Sequence, residues 1–596
     1  MKPAPHIPGA DEATTASCSG DAGWPADPKE RCDFYHRIRV FPPEAAEWRQ
    51  RILRRIGQDR ALFHSVSARD SVETIRTKLD DGISHLREVA RLLSILYGSK
   101  HPATTSSERS IGPEADRVLC RLGIYRELGL SFEGLGTSER RRLLRDLIPP
   151  NLLEPLERDL PAHGRSVCGP KETSCGDCEI RNLCSAYREE QCRTAEKRND
   201  LPTAVDLFSG AGGLSEGLTR AGFRVLLALD SDPLALRTYR LNHPAVPDRR
   251  ILCRDVQTLR QGEIRRLLGR ERIDLLAGSP PCQGFSHAGF RSKVTRTGYR
   301  LGRDERNFLF EYMVAAALEL RPRMFLMENV PGMQSARREK LSFLEAAAHM
   351  LEERCGFRTA IWRLNASGQG VPQDRLRYFL VGSATGELPI LPLEEYQDHR
   401  QDFDVDALPP VTLQEAIFDL PPRAAGEGLA VEPCGQTAAT NDPRARRYLS
   451  KFRLLSTSRL LFNHTVRYHN PRDLELYSLL RPGEDSIHIL ERHGRADLMR
   501  YRRDVFDDKY ARLRGDRPSK TIVAHLAKDG NGYVHPTQVR SISIREAARL
   551  QSFRDDYAFC GSPSDQWTQV GNAVPPVLAE RIAGSFLQVL KRRERP

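Results

Sequence analysis

No run of about eighteen apolar residues occurs in the 596-residue chain, which excludes a helical membrane span of ordinary length. The first residues, MKPAPHIPGADEATTASCSGDAGW, lack a basic stretch followed by an apolar one. That absence argues against a secretory leader, and residues 1–34 read instead as a disordered polar tail. No internal repeat is present, which removes solenoids and propellers from consideration. Acidic residues are the scarcer charge: 79 Asp and Glu face 91 Lys and Arg, for a net charge of +12. An excess of that sign suits a polyanionic partner. What remains is 39% hydrophobic and 29% charged, the balance of a cytoplasmic globular protein of two to four domains.

Three textures divide the chain. Residues 35–195 read as helical and arginine-rich, with apolar residues at helical spacing in VETIRTKLDDGISHLREVARLLSILYG. A polar hinge, REEQCRTAEKRNDLPT, is expected to follow. From residue 200 to 385, short apolar strands alternate with amphipathic helices (TAVDLF, GGLSEGLTRAGF, VLLALD, PLALRTYRLNH, IDLLAGSP, MFLMENV), which predicts an α/β fold with a parallel, doubly wound sheet. The alternation fades over 386–540 and resumes at SIREAARLQSF within 541–596, as an inserted domain would make it do.

The strand ends carry the chemistry. VDLFSGAGGLSEGL is a strand, a glycine-rich turn and a helix start, where Gly210, Gly212 and Gly213 allow close backbone approach to a ligand. Ser215 occupies the sixth position of a strict G-x-G-x-x-G, which argues against a dinucleotide. Asp230 ends the next strand, where such folds place a carboxylate against ribose hydroxyls, and Asp255 follows a third strand. An adenosine-bearing cofactor is therefore expected. In IDLLAGSPPCQGF the fourth strand runs into a loop stiffened by Pro280 and Pro281, which would aim the Cys282 thiol at the same edge. MFLMENVPG delivers Glu328 there as well. A thiolate nucleophile beside an acid can add to an electron-poor ring while the acid serves a ring nitrogen.

DLFSGAGG, PPCQGFS, ENV, QGVPQDRLR and QVGNAVPP stand in this order and together resemble the cytosine-5 DNA methyltransferase family. The resemblance implies a Rossmann-like S-adenosylmethionine-dependent fold over residues 200–590, with an inserted target-recognition domain. It implies that Cys282 attacks carbon 6 of a flipped-out cytosine in double-stranded DNA while Glu328 engages nitrogen 3. Phe208, Gly210, Gly212, Asp230, Asp255, Leu309 and Asn572 are carried over as cofactor contacts. Arg375 and Arg377, two apart in an extended segment, would project on one side; the resemblance aims both at the flipped nucleotide. It further implies a bacterial, nucleoid-associated enzyme of a restriction–modification or defence system, with a cognate endonuclease as partner. RNA methylation by the same chemistry is the weaker alternative. NHTVRYHNPRDLELYS and RHGRADLMRYRRD mix Arg, His, Asn and Tyr as base and phosphate contacts would require.

CGPKETSCGDCEIRNLC holds Cys168, Cys175, Cys178 and Cys184 within seventeen residues of one another. This spacing is similar to the iron–sulfur loop of endonuclease III-like glycosylases, which implies an N-terminal all-α domain with a 4Fe–4S cluster; zinc and free thiols are the alternatives. IGPEADRVLCRLG resembles the catalytic segment of that family, but Gly112 stands where the aspartate belongs and Asp116 lies four residues on. A glycosylase fold retained for DNA binding or stability is expected, with residual base excision as the alternative.

Overall fold

The computed structural model describes residues 89–90, 113–122, 124, 150–170, 174–281, 308–338, 341–397, 408–433, 442–455, 460–498, 510–528 and 530–592. The expected polar tail, Gly112, most of the first helical segment and Cys282 itself lie outside the described residues. None of the described helices is long and apolar enough to cross a membrane.

Among the described residues three helices of ten residues or more precede the sheet: α1 (Pro113–Leu122), α2 (Pro150–Ser166) and α3 (Ser185–Lys197). The third replaces the expected hinge. Its sequence, SAYREEQCRTAEK, is rich in good helix formers but has no fully buried residue, so polarity disguised it as a linker.

The α/β expectation holds, with one change. The seven strands are β1 (Thr203–Leu207), β2 (Arg224–Asp230), β3 (Ile251–Cys253), β4 (Leu275–Gly278), β5 (Met324–Asn329), β6 (Arg358–Asn365) and β7 (Leu376–Ser383), in spatial order β3-β2-β1-β4-β5-β7-β6. The first five run parallel, but β7 is antiparallel to both β5 and β6. The sheet is thus mixed and not wholly parallel. Its parallel strands are linked by crossover helices, whereas residues 366–375, a 3₁₀ turn and a two-residue strand without a crossover helix, reverse the chain between β6 and β7.

The central strands LLAG and MFLMEN are buried at every position, as strands covered on both faces must be. Alternate residues serve two cores. Ala204 and Ala228 pack with α4 (Gly213–Ala221), α5 (Pro233–Asn242) and the last helix, whereas Val205 and Leu227 pack with α7 (Phe310–Leu320) and α8 (Phe343–Cys355). A short helix, α6 (Glu263–Leu268), lies between β3 and β4. Local signals set the helix ends. Asp232 accepts bonds from the amides of Leu234 and Ala235 with Pro233 at the first turn, and Ser342 forms a capping box with Glu345.

The C-terminal part closes the fold through α9 (Ile544–Leu550), α10 (Pro563–Asn572) and α11 (Pro576–Arg592). A β-carbon on Gly217 would meet that of Ala579 at 2.3 Å, so the bare glycine is what lets α11 lie against α4. Much of the expected insertion shares this core: Val411, Leu413, Leu449, Leu461, Leu513 and Ile522 belong to the same cluster as the sheet. A separate core forms around Leu476, Tyr477, Ile489, Tyr510 and Val534.

Candidate active site

The turn after β1 is an unusual piece of backbone. Phe208, Gly210 and Gly212 have φ values of 58°, 53° and 97°, left-handed conformations of which only the glycines adopt theirs without strain. The Ser209 amide donates to the Leu229 carbonyl (3.0 Å) and the Gly210 amide to Asp230 Oδ2 (2.8 Å). Asp230 Oδ1 accepts from the Asp232 amide at 2.9 Å, so this carboxylate pins two neighbouring strand-end turns together. Burial pushes its pKa up, against the lowering effect of those amides. The Arg254 amide donates to the Asp230 carbonyl, which sets Asp255 beside it at the end of β3; Asp255 is exposed and caps a short 3₁₀ turn through Gln257.

The two glycines differ in their surroundings. Nothing lies within 4 Å of a β-carbon built on Gly210, whereas one on Gly212 would meet His243 Nε2 at 2.4 Å and Tyr557 Oη at 2.7 Å. Gly210 therefore borders open space and Gly212 serves packing. The hydroxyls of Ser209 and Ser279 are buried without a partner, and they flank adjacent strands, with the Ser279 amide donating to the Leu207 carbonyl (3.3 Å). Buried polar atoms left unpaired are rare in folded proteins, and at an open strand edge they suit a ligand with polar groups of its own. S-adenosylmethionine fits this edge: it has hydroxyl, amino and carboxylate groups for these atoms. Leu309, buried, leads into α7; Asn572, exposed, ends α10, with Val574 two residues on packed against Gly213.

Glu328 ends β5 and is 8% exposed. Arg377 Nε stands 2.9 Å from its Oε1, and the same arginine donates to the Leu376 carbonyl at 2.7 Å. The neighbouring Asn329 donates to the Pro280 carbonyl (3.2 Å), which ties the end of β5 to the proline loop two residues before Cys282. Asn329 went unremarked in the sequence, although its place within ENV was the available signal. Arg375 does not share the surroundings of Arg377. It is 2% exposed and donates to the carbonyls of Ile522 (2.7 Å), Gly571 (3.2 Å) and Ala573 (3.0 Å). Only Arg377 stands with Glu328; Arg375, between the two-residue strand at 373–374 and β7, bridges Ile522 to the C-terminal segment.

Other expectations change too. In NHTVRYHN, Asn463 bonds to Phe559 and Gln566, His464 to Ser543 and Pro421, His469 to Ser541 and Tyr477, and Arg467 to Leu526. These side chains are held by the scaffold, whereas Tyr468 and, further along NHTVRYHNPRDLELYS, Arg472 are exposed. In the second stretch Arg492 pairs with Glu484, and Arg495 with Glu475 and Asp497, while residues 499–504 lie outside the described residues.

None of the four cysteines is in a disulfide. Arg121 Nη1 lies 3.1 Å from Cys168 Sγ, Cys184 donates to the Arg121 carbonyl (3.3 Å), and Cys178 Sγ is 3.7 Å from His163 Nε2. Burial, reinforced by the other three thiols, pushes Cys178 up to about 12. Among the described residues no group of three or more Cys, His, Asp or Glu side chains could hold a metal ion. The expected 4Fe–4S ligand set of Cys168, Cys175, Cys178 and Cys184 thus gains no support from the described residues. Three of the thiols also touch α1 or α2, through Arg121 and His163.

Residues 203–588 match the C-5 cytosine-specific DNA methylase family, and the match begins only after the cysteine segment, so the likeness to glycosylases gains no support from it. Among curated relatives, the Type II methyltransferase M1.HphI of Haemophilus parahaemolyticus is 33% identical over 391 residues, covering 65% of this chain and 87% of that protein. The Type II methyltransferase M.DdeI of Desulfomicrobium norvegicum is 31% identical over 390 residues, covering 64% of this chain and 87% of its own length. The Type II methyltransferase M.AgeI of Thalassovita gelatinovora is 33% identical over 440 residues, covering 64% of this chain and 97% of its own. The chain belongs to the C-5 cytosine-specific DNA methylase family, and its activity is methyl transfer to carbon 5 of cytosine in DNA.

Proposed function

We propose that this chain methylates cytosine within a short DNA sequence through a transient bond to Cys282, and that it serves a restriction–modification system with a cognate endonuclease, as the Type II names of its relatives suggest. The observation that carries the catalytic reading is the buried Glu328–Arg377 pair, held beside the proline loop by the bond from Asn329 to Pro280.

The Cys282 thiolate adds to carbon 6 of a cytosine turned out of the duplex, since a stacked, paired base cannot present its ring face to a thiol. Glu328 engages nitrogen 3, so that charge does not accumulate on the ring as the bond to sulfur forms. Arg377 fixes one oxygen of that carboxyl and leaves the other to face the base. Phe208, Gly210, Asp230, Asp255, Leu309 and Asn572 border the cofactor, with Ser209 and Ser279 as further polar contacts. S-adenosylmethionine, when bound, supplies an electrophilic methyl group to carbon 5. Loss of the carbon 5 proton and expulsion of Cys282 then restore the ring.

Bisulfite sequencing of DNA from a methylation-free host expressing the chain tests this. Protected cytosines in one short consensus, lost with Cys282→Ala and with Glu328→Gln, are expected. Protection that survives Cys282→Ala would sink the covalent mechanism.

A further inference from the structure

We propose that the segment from Cys175 to the end of α3 is a brace for the cofactor loop at 208–213, with Arg188 as its main positioning residue. The proposal rests on the reading of that loop as the S-adenosylmethionine site.

The contacts run inward in two steps. On the outside, Arg188 donates to the carbonyls of Arg240 (2.5 Å) and Val246 (2.6 Å) and pairs with Asp248 at 3.1 Å. The Cys192 thiol donates to the Pro244 carbonyl at 3.2 Å. These acceptors lie at the C-terminal end of α5 and in the turn after it, where carbonyls have lost their helical partners and carry partial negative charge. A guanidinium, planar and rich in donors, answers several of them at once.

On the inside, the same turn begins with His243. This buried ring lies 4.2 Å from that of Tyr239, and its Nε2 is 3.0 Å from Tyr557 Oη. The Tyr557 hydroxyl donates to the Ala211 carbonyl at 2.6 Å, so the histidine must be the donor in the His243–Tyr557 bond. His243 and Tyr557 together fill the space that a side chain on Gly212 would need. They are the wall against which the left-handed turn rests.

Both halves of that wall are backed by the cysteine segment. Arg188 and Cys192 hold the turn that carries His243, and Arg181 pairs at 3.5 Å with Asp556, the neighbour of Tyr557. The start of α3 is anchored in turn, since Cys184 caps it and bonds to the Arg121 carbonyl on α1. The preceding helices thereby gain a reason to be attached to the catalytic domain without needing a chemistry of their own.

Titration calorimetry of the full chain with S-adenosylmethionine tests the brace. Arg188→Ala should weaken binding by roughly 5- to 50-fold. Turnover at saturating cofactor and the affinity for substrate DNA should stay within about twofold. Arg188→Lys, which keeps the charge near Asp248 but cannot span both carbonyls, should fall between. Arg193→Ala, exposed on the same helix, should change nothing. Cofactor binding by Arg188→Ala within twofold of the parent would overturn the proposal, as would equal losses of cofactor binding, DNA binding and melting temperature. Should the parent bind no S-adenosylmethionine, the cofactor reading of the loop fails, and hydrogen exchange decides the brace. Amides 209–213 would exchange faster in Arg188→Ala if it holds and unchanged if it does not.

Discussion

The strand-end site and the large ion-paired arginines of the C-terminal half treat buried polar groups differently. At the carboxyl ends of β1, β4 and β5, Ser209 and Ser279 keep hydroxyls without partners and Gly210 borders open space. In the 411–557 region, chemically richer residues are consumed by their neighbours: Arg549 by Asp419 and Asp555, Arg540 by Glu546, Arg545 by the carbonyls of Phe462, Arg554 and Tyr557. The lesson is that residue type is a poor guide to function once side chains are buried. A histidine or arginine whose donors and acceptors are all taken is structure; a plain serine whose hydroxyl is left over is a candidate contact.

The largest effect should come from the open side. Glu328→Gln is expected to lower methyl transfer by about 10²- to 10⁴-fold with little change in fold, measured as turnover and as far-ultraviolet dichroism. Retention of more than a tenth of the activity would remove Glu328 from the chemistry. On the closed side, Arg549→Met should leave Asp419 and Asp555 buried and unpaired, which costs about 3–5 kcal/mol in unfolding free energy. Its folded fraction should keep the parental KM for S-adenosylmethionine. A specific rise in that KM would blur the division between the two sides.

A finer test lies within one loop. Gly212→Ala must push against His243 and Tyr557, and overpacking of this kind costs about 1–3 kcal/mol. Gly210→Ala meets no neighbour and carries only the left-handed backbone penalty of about 1 kcal/mol, so its main effect should be on cofactor affinity. Thermal melts with and without S-adenosylmethionine separate the two. Equal loss of stability would mean that Gly210 also faces protein.

The sheet was legible in the sequence because its strands are short apolar runs that end in glycine, proline or acid, and the parallel crossovers enforce that rhythm. Glu328 was legible for the same reason, since a strand end is a place that can be counted to. The antiparallel β6–β7 edge was not, because the residues of a strand do not state the direction in which it runs. The partners of Arg375 and of the NHTVRYHN stretch were not legible, because sequence shows a donor without showing which carbonyl it meets. The hinge reading of α3 failed for a related reason: a helix that docks through single contacts such as Arg188 and Cys192 has no apolar stripe to announce it.

Opposite pH dependences offer the smallest and most discriminating test of the two sides. His469 sits in the 411–557 region, where burial, with Arg467 and Arg540 nearby, depresses its pKa to about 3. The Ser541 amide already donates to its Nε2 (3.2 Å), so a proton there would face a donor. A depressed histidine contributes stability above its unfolded pKa of about 6.5, lost as pH falls toward the folded value. Asp206 lies under the cofactor loop with Oδ2 accepting from Ser215 (2.6 Å) and Oδ1 unpaired, and burial raises it to about 7. Its contribution has the other sign, present in full below the unfolded value near 3.8 and lost as pH rises toward 7. Urea titrations across pH 4 to 8 should therefore show His469→Gln flattening the acidic limb and Asp206→Asn gaining stability at pH 8 relative to pH 4. If Asp206→Asn shows no such gain, the carboxyl is charged and compensated in the folded state.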